Sequence, residues 1–358
     1  MAMLSDVLYG TERPPDCCGP SGSSTCFIFR EVVLAFGQLR ATGEPCATAA
    51  TTKSMSEFPP STTDTRGNGT STVESRFVTA NGIRLHYMDH AGERGPLVFL
   101  HGLSANAHSF DEVIGSGLSP AFRALALDLR GRGHSQKGSG YTFEEHSDDV
   151  IAWLDALGLQ EVILVGHSFG GFLATFVAWR HPSRVRKLIV LDIAASALRD
   201  PRVGELLKPS LARLTRSWSS RNEYIEEMKA APFLSTWWSS AIERYFQSDA
   251  EVGSDGQVRS LTKLDVVVGA AGDVARLNWT DIFAAVSQPV LLFHALDRFG
   301  AEGATPLVLP EDAQATASLV RNCHCLAVEG NHITMLFGNA ASTIAAGIAE
   351  FAETEAVA

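Results

Sequence analysis

No run of about 18 uninterrupted apolar residues occurs in this chain of 358 residues, so a membrane-spanning helix is not expected. Basic residues are outnumbered: 29 Lys and Arg stand against 40 Asp and Glu, a formal net charge of −11. This argues against nucleic acid as the main partner, because its phosphates would be repelled rather than neutralised. Cysteine is scarce, and four of the six (Cys17, Cys18, Cys26 and Cys46) crowd into the first 46 positions, which is no disulfide framework for a chain of this length. No internal repeat is visible. What remains is an ordinary globular composition, with 45% hydrophobic and 19% charged residues, and a length that fits one α/β domain carrying an insertion.

Residues 1–72 are rich in Ser, Thr, Pro and Gly and lack sustained periodicity, which predicts a disordered or poorly ordered leader. Its one apolar patch, Cys26–Phe36, is interrupted by Arg30 and Glu31 and lies too far from the start for a secretory segment. A start at Met55 and a short helix over 28–40 are alternative readings of this stretch. With neither a span nor a secretory segment, the expected location is the cytoplasm.

The folded body is expected to begin near Val73. Two strands, 74–80 and 83–90, flank Asn81-Gly82, a two-residue hairpin signal. Leu97–Leu100 is short and wholly apolar, as a parallel strand buried on both faces should be. A helix over 106–118 and a strand over 122–128 follow. Thr142 and Glu145 have capping-box spacing and open a helix to about Leu157. Strands are predicted again at 161–166, 185–193, 289–294 and 323–328, with helices at 169–180, 311–320 and 339–353. From Ala194 to Asp281 the alternation stops and a helical pattern takes over. The prediction is α/β: a mostly parallel, doubly wound sheet built from 73–193 and 282–358, with a helical cap inserted at 194–281.

The stretch that organises the rest is Val162–Gly171. Apolar residues run into Gly166-His167-Ser168-Phe169-Gly170 and a helical pattern follows at once. Gly-x-Ser-x-Gly alone is a weak match, but strand, sharp turn and helix together are what a nucleophile elbow requires. Residues 73–355, about four-fifths of the chain, resemble the α/β-hydrolases of the single-domain, helical-cap type. The resemblance rests on four motifs in order: His101-Gly102, the Asp128–Ser135 turn, the elbow, and Gly330-Asn331-His332.

That resemblance implies a serine hydrolase needing no cofactor and no metal. Ser168 is the expected nucleophile and His332 its base, since an unaided hydroxyl is a poor nucleophile at neutral pH. Asp297, after the strand ending at His294, matches the usual family position of the triad acid. The glycine typical of that position is displaced, and Asp192, at the tip of the strand after the elbow helix, is the alternative. The backbone N–H groups of Phe169 and Leu103 are the implied oxyanion donors. His101, Gly102, Trp218, Trp237 and Trp238 are expected to contact substrate, and Arg199, Arg202 and Arg213 are candidates for holding a carboxylate. Serine at the elbow argues against the haloalkane dehalogenase and epoxide hydrolase branches, which use aspartate there. His167 is expected to pack under the turn. The Asp128 turn lacks the spacing of a phosphate cradle, and Cys323-His324-Cys325 lacks the second ligand pair of a zinc site. Asn68 and Asn278 each open a glycosylation triplet of a kind that arises often by chance.

The expected partner is a small-molecule ester of a small to medium acyl group, cleaved through an acyl-enzyme, and a homodimer is compatible with the sequence. Hydrolysis of an amide, lactone or activated C–C bond is the alternative, and a non-catalytic ligand receptor the third reading.

Overall fold

The computed structural model describes residues 72–196 and 200–354. The leader with its four cysteines, the Asn68 triplet and Arg199 lie outside these residues.

In chain order the strands are β1 (Val73–Ala80), β2 (Ile83–His90), β3 (Arg94–Leu100), β4 (Phe122–Leu127), β5 (Val162–His167), β6 (Val185–Leu191), β7 (Ala250–Val252), β8 (Val258–Ser260), β9 (Val290–Ala295) and β10 (Cys323–Val328). All but β7 and β8 form one sheet, in the spatial order β1-β2-β4-β3-β5-β6-β9-β10. β1 and β2 pair antiparallel, as do β2 and β4, and every later pairing in that sheet is parallel. The hairpin between β1 and β2 closes through Asn81 (φ 47°) and Gly82 (φ 75°), both in the left-handed region that a two-residue turn demands.

The inner strands read as continuous apolar runs because both faces are covered. Leu97 and Phe99 of β3, with Ile163 and Val165 of β5, belong to one apolar layer. Val98, Leu100, Val162 and Leu164 belong to the opposite one. The second layer is closed by α1 (Phe143–Ala156) and α2 (Phe169–Arg180). α1 carries the predicted capping box, with Thr142 and Glu145 exchanging hydrogen bonds.

Two stretches differ from expectation. Residues 106–118 are not one helix but short turns over Ala107–Phe110, Asp111–Val113 and Ile114–Leu118, the last unwinding at Gly117 (φ 122°). Between β6 and β9 the chain forms α3 (Pro201–Leu211), α4 (Arg221–Ala230), α5 (Ser240–Asp249), α6 (Leu264–Arg276) and α7 (Trp279–Ala284). This segment is not wholly helical: β7 and β8 pair antiparallel around Asp255-Gly256, where Gly256 has φ 77°. The Asp-Gly turn signal is present in the sequence, hidden by strands of only three residues. After it α8 (Pro310–Leu319) packs beside β10, and α9 (Gly338–Glu353) closes the first apolar layer through Ile344, Ala345 and Ile348.

Candidate active site

Ser168 sits between β5 and α2 with φ 54° and ψ −123°, a conformation disfavoured for a side-chain-bearing residue. The turn closes only because its flanks carry no Cβ. One added at Gly166 would lie 2.1 Å from the Gly170 carbonyl oxygen, and one at Gly170 would lie 2.0 Å from that of Leu100. The Ser168 N–H is held by the Leu191 carbonyl at 3.0 Å, while the Ser168 carbonyl accepts from Gly171 and Phe172 and starts α2.

His332 lies in the loop after β10, and its Nε2 is 2.9 Å from Ser168 Oγ. Asn331 shapes this loop: its N–H donates to Thr334 Oγ1, and its Oδ1 accepts from the N–H groups of Ile333 and Thr334. Its amide reaches the Phe233 carbonyl in the inserted segment at 2.8 Å. His167 is buried as expected, and its Nε2 donates to the His332 carbonyl at 2.7 Å, so it fixes the backbone at His332. Burial, and then the neighbouring His332, hold the His167 pKa well below the ordinary histidine value and keep its ring neutral.

The carboxylate against His332 is that of Asp192, not Asp297. Asp192 Oδ2 is 2.7 Å from His332 Nδ1. The carboxylate is fixed at its other end too, where Oδ1 accepts from the Ala295 N–H at 2.8 Å. Asp192 has φ 53°, and its N–H donates to the Phe293 carbonyl, so the strained bend at the end of β6 aims the side chain. An ionised carboxylate only accepts, so Nδ1 carries the proton and Nε2 is left to accept from Ser168. Asp297 is committed elsewhere. Its N–H donates to the Gly330 carbonyl at 2.9 Å and its Oδ2 accepts from the Gly330 N–H at 2.7 Å. It clamps the loop at Gly330, two residues before His332.

At the start of α2 the Phe169 N–H has no intrahelical partner, and the positive end of the helix lies there. Among the described residues neither this group nor the Leu103 N–H donates to a protein acceptor. Gly102 lines the cavity over Ser168. A Cβ there would sit 3.4 Å from His167 Nδ1 and 3.5 Å from Ser168 Cβ, which is ordinary contact, so the glycine is not forced by crowding. His101 does not reach the cavity: it is fully buried, with Nδ1 donating to the Gly102 carbonyl and Nε2 accepting from the Leu129 N–H. Burial pulls its pKa down to about 4. It braces the loop rather than facing the space a substrate would fill.

The cavity over Ser168 has a volume of about 200 Å³. The sheet side supplies Leu103, Phe172, Ile193 and Phe299, and the inserted segment supplies Val203, Leu207, Met228, Phe233 and Phe246. Ser109 also lines it, and its Oγ has no hydrogen-bond partner. The expected tryptophans are not in the wall. Trp218 packs on Tyr224 with ring centroids 4.6 Å apart and donates to Glu227, and Trp238 stacks on Phe246. Trp237 packs, partly buried, against the main apolar layer. These side chains hold the inserted segment together, and the smaller phenylalanines reach the cavity. The candidate cations are also engaged. Arg202 Nε pairs with Asp200 Oδ2 at 2.8 Å, and buried Arg213 pairs with Asp249 while donating to the carbonyls of Ser104 and Ser210.

Elsewhere the Asp128 turn is fixed by hydrogen bonds. Asp128 accepts from the N–H groups of Ala107 and His134 and from His86 Nδ1. Burial would raise its pKa, but these bonds hold it at about 2. Cys323 and Cys325 face one apolar layer while His324 points out, and Asn278 is bonded to Asp281.

With elbow, histidine and carboxylate in place, comparison with known proteins is decisive for the family. Residues 95–338 match the model of the alpha/beta hydrolase fold. The chain belongs to that family. Among curated relatives it is 38% identical over 120 residues to a putative non-heme haloperoxidase of Mycobacterium phage D29, covering 33% of this chain and 43% of that protein. It is 30% identical over 191 residues to the cis-3-alkyl-4-alkyloxetan-2-one decarboxylase of Shewanella oneidensis, covering 46% and 59%. The chain thus spans about two- to three-fifths of the length of these relatives. Among solved structures, E-2-(acetamidomethylene)succinate hydrolase superposes with a TM-score of 0.66 at 21% identity, over 78% of this chain and 99% of the other. In this alpha/beta hydrolase the tip of the turn between β5 and α2 is occupied by Ser168.

Proposed function

We propose that this alpha/beta hydrolase is a serine carboxylesterase acting on neutral, largely apolar esters of small to medium size, with Ser168, His332 and Asp192 as its triad. The observation that carries the reading is the continuous relay from Ser168 Oγ to His332 Nε2 at 2.9 Å and from His332 Nδ1 to Asp192 Oδ2 at 2.7 Å, opening into an apolar cavity. In the first step Ser168 Oγ attacks the ester carbonyl while its proton passes to His332 Nε2. The imidazolium so formed is stabilised by Asp192, which stays ionised. The carbonyl oxygen becomes an oxyanion received by the N–H groups of Phe169 and Leu103, each such donor being worth on the order of 10²–10³ in rate. Collapse of the intermediate breaks the C–O bond as His332 returns its proton to the leaving alcohol. Water then repeats the sequence on the acyl-enzyme and frees the acid.

The cavity wall supports a neutral substrate. Arg202 and Arg213, the candidates for holding a substrate carboxylate, are both paired with aspartates, so neither is left free to hold one. The names of the relatives cover several chemistries, and none sets the substrate here. Hydrolysis of p-nitrophenyl acetate and butyrate by the wild type and by Ser168→Ala tests the assignment. Loss of nearly all turnover in the variant is expected, and equal rates in the two proteins would refute it.

A further inference from the structure

Arg132 lies in the Asp128 turn, fully buried, with no carboxylate within 4.0 Å among the described residues. Its neighbour Arg130 shows what the turn can provide, since that guanidinium is paired with Asp149 at 2.6 Å. Arg132 instead meets only neutral groups. Nε donates to the Leu103 carbonyl at 3.2 Å, and Nη1 to the Arg130 carbonyl at 2.9 Å and to His146 Nε2 at 2.8 Å. Nη2 has no partner. His146 is bound as a neutral acceptor, because its Nδ1 is spent on the Thr142 carbonyl at 2.7 Å and burial holds its pKa well below the ordinary value. The guanidinium also lies 5.3 Å from the centre of the Phe169 ring. A buried cation without a counter-ion is costly, and a buried donor without an acceptor adds to that cost.

Two of its contacts are the residues whose N–H groups are the proposed oxyanion donors. Leu103 is held through its carbonyl and Phe169 through its ring. We propose that Arg132 is a positioning residue for the oxyanion hole: it clamps Leu103 against Phe169 and places an uncompensated positive charge behind the two donors. This rests on the proposed serine hydrolysis. A neutral or ion-paired side chain in its place could pack the turn but would lend no positive potential to a developing oxyanion. Arg132 does not itself line the cavity, so it acts through the two residues it holds.

The test uses a probe that does not depend on the natural substrate. An alkyl fluorophosphonate reacts as Ser168 Oγ forms the O–P bond, fluoride leaves, and the serine proton passes to His332. The negative phosphoryl oxygen requires the same two donors. Labelling rates are measured on the full chain for wild type, Ser168→Ala, Arg132→Met and Arg132→Lys, with thermal unfolding alongside. Arg132→Met should label Ser168 about 30- to 100-fold more slowly, less than outright deletion of a donor at its upper range. Arg132→Lys keeps the charge but cannot span all three acceptors, and should be slowed about tenfold. With p-nitrophenyl butyrate the loss should fall on kcat, leaving KM within about threefold, because donors to the oxyanion act in the transition state. Equal labelling of wild type and a folded Arg132→Met would overturn the proposal, as would a loss confined to KM. Should Arg132→Met not fold, a lysine variant labelled at the wild-type rate overturns it equally. A wild type that is not labelled at Ser168 would instead bring down the hydrolase reading, and the role of Arg132 with it.

Discussion

Replacing Asp192 by asparagine distinguishes the two acids with the least disturbance. In Asp192→Asn the introduced amide oxygen can keep the Ala295 N–H, which now meets Asp192 Oδ1 at 2.8 Å. The new NH2 group then faces His332 Nδ1, where the carboxylate oxygen stands at 2.7 Å, and donor meets donor. His332 relieves the clash by moving its proton to Nε2, which can no longer accept from Ser168. The same substitution on an unrelated fold lowers kcat by about 10⁴, which corresponds to roughly 5 kcal/mol of transition-state stabilisation. Asp297→Asn behaves differently, because its amide oxygen can still accept the Gly330 N–H that Asp297 Oδ2 holds at 2.7 Å. A loss of less than about tenfold is expected there, since the loop is loosened and not the relay. Saturation kinetics on p-nitrophenyl butyrate give both numbers, and circular dichroism checks that each variant is folded. If Asp297→Asn loses more kcat than Asp192→Asn, the assignment of the acid is wrong.

Gly170→Ala should leave little folded protein, because its Cβ would be driven to 2.0 Å from the Leu100 carbonyl oxygen. Gly115→Ala, with open space around the added methyl, should express and melt as wild type. Stability should fall with acid between about pH 6.5 and 4. His101 has its pKa pulled down to about 4 in the folded state, so in this window the unfolded chain binds more protons and stability rises with pH; acidification from neutral pH to below this window costs roughly 3 kcal/mol through His101 alone. Denaturant titrations at a series of pH values check the slope, and a flat profile would count against a neutral buried His101. Val203→Trp fills part of the cavity from the inserted segment and should raise KM for butyrate more than for acetate. A chain-length series on the two proteins reads this out, and an unchanged preference would remove α3 from the acyl site.

The fold is legible wherever burial imposes one pattern over a whole element. β3 and β5 are apolar through their inner halves because they are covered on both faces, and the elbow helix Phe169–Arg180 and strand Cys323–Val328 coincide with the sequence reading. The 106–118 stretch misleads because Gly115 and Gly117 interrupt a helix whose apolar spacing is nonetheless kept by Phe110, Val113, Ile114 and Leu118. In the inserted segment, size and apolarity alone point the tryptophans toward the cavity wall. For Trp218 the reason is visible: its indole N–H finds an acceptor on Glu227 inside the segment, and an open apolar wall offers none.

The choice of acid shows what spacing cannot carry. β6 and β9 are neighbours, so Asp192 and Asp297 leave the sheet on the same side and within reach of the same loop. Chain order and strand position fit both. What separates them is backbone geometry at the strand ends: a left-handed residue at 192 turns its carboxylate toward His332, whereas Asp297 is tied by both N–H and carboxylate to Gly330. A positive φ at an aspartate leaves no mark in a sequence. The site nevertheless uses both residues. Asp192 fixes which nitrogen of His332 carries the proton, and Asp297 fixes where the loop presents that ring. Exchanging either carboxylate for an amide therefore perturbs a different property of one histidine, its tautomer in the first case and its placement in the second, and the two losses of kcat tell them apart.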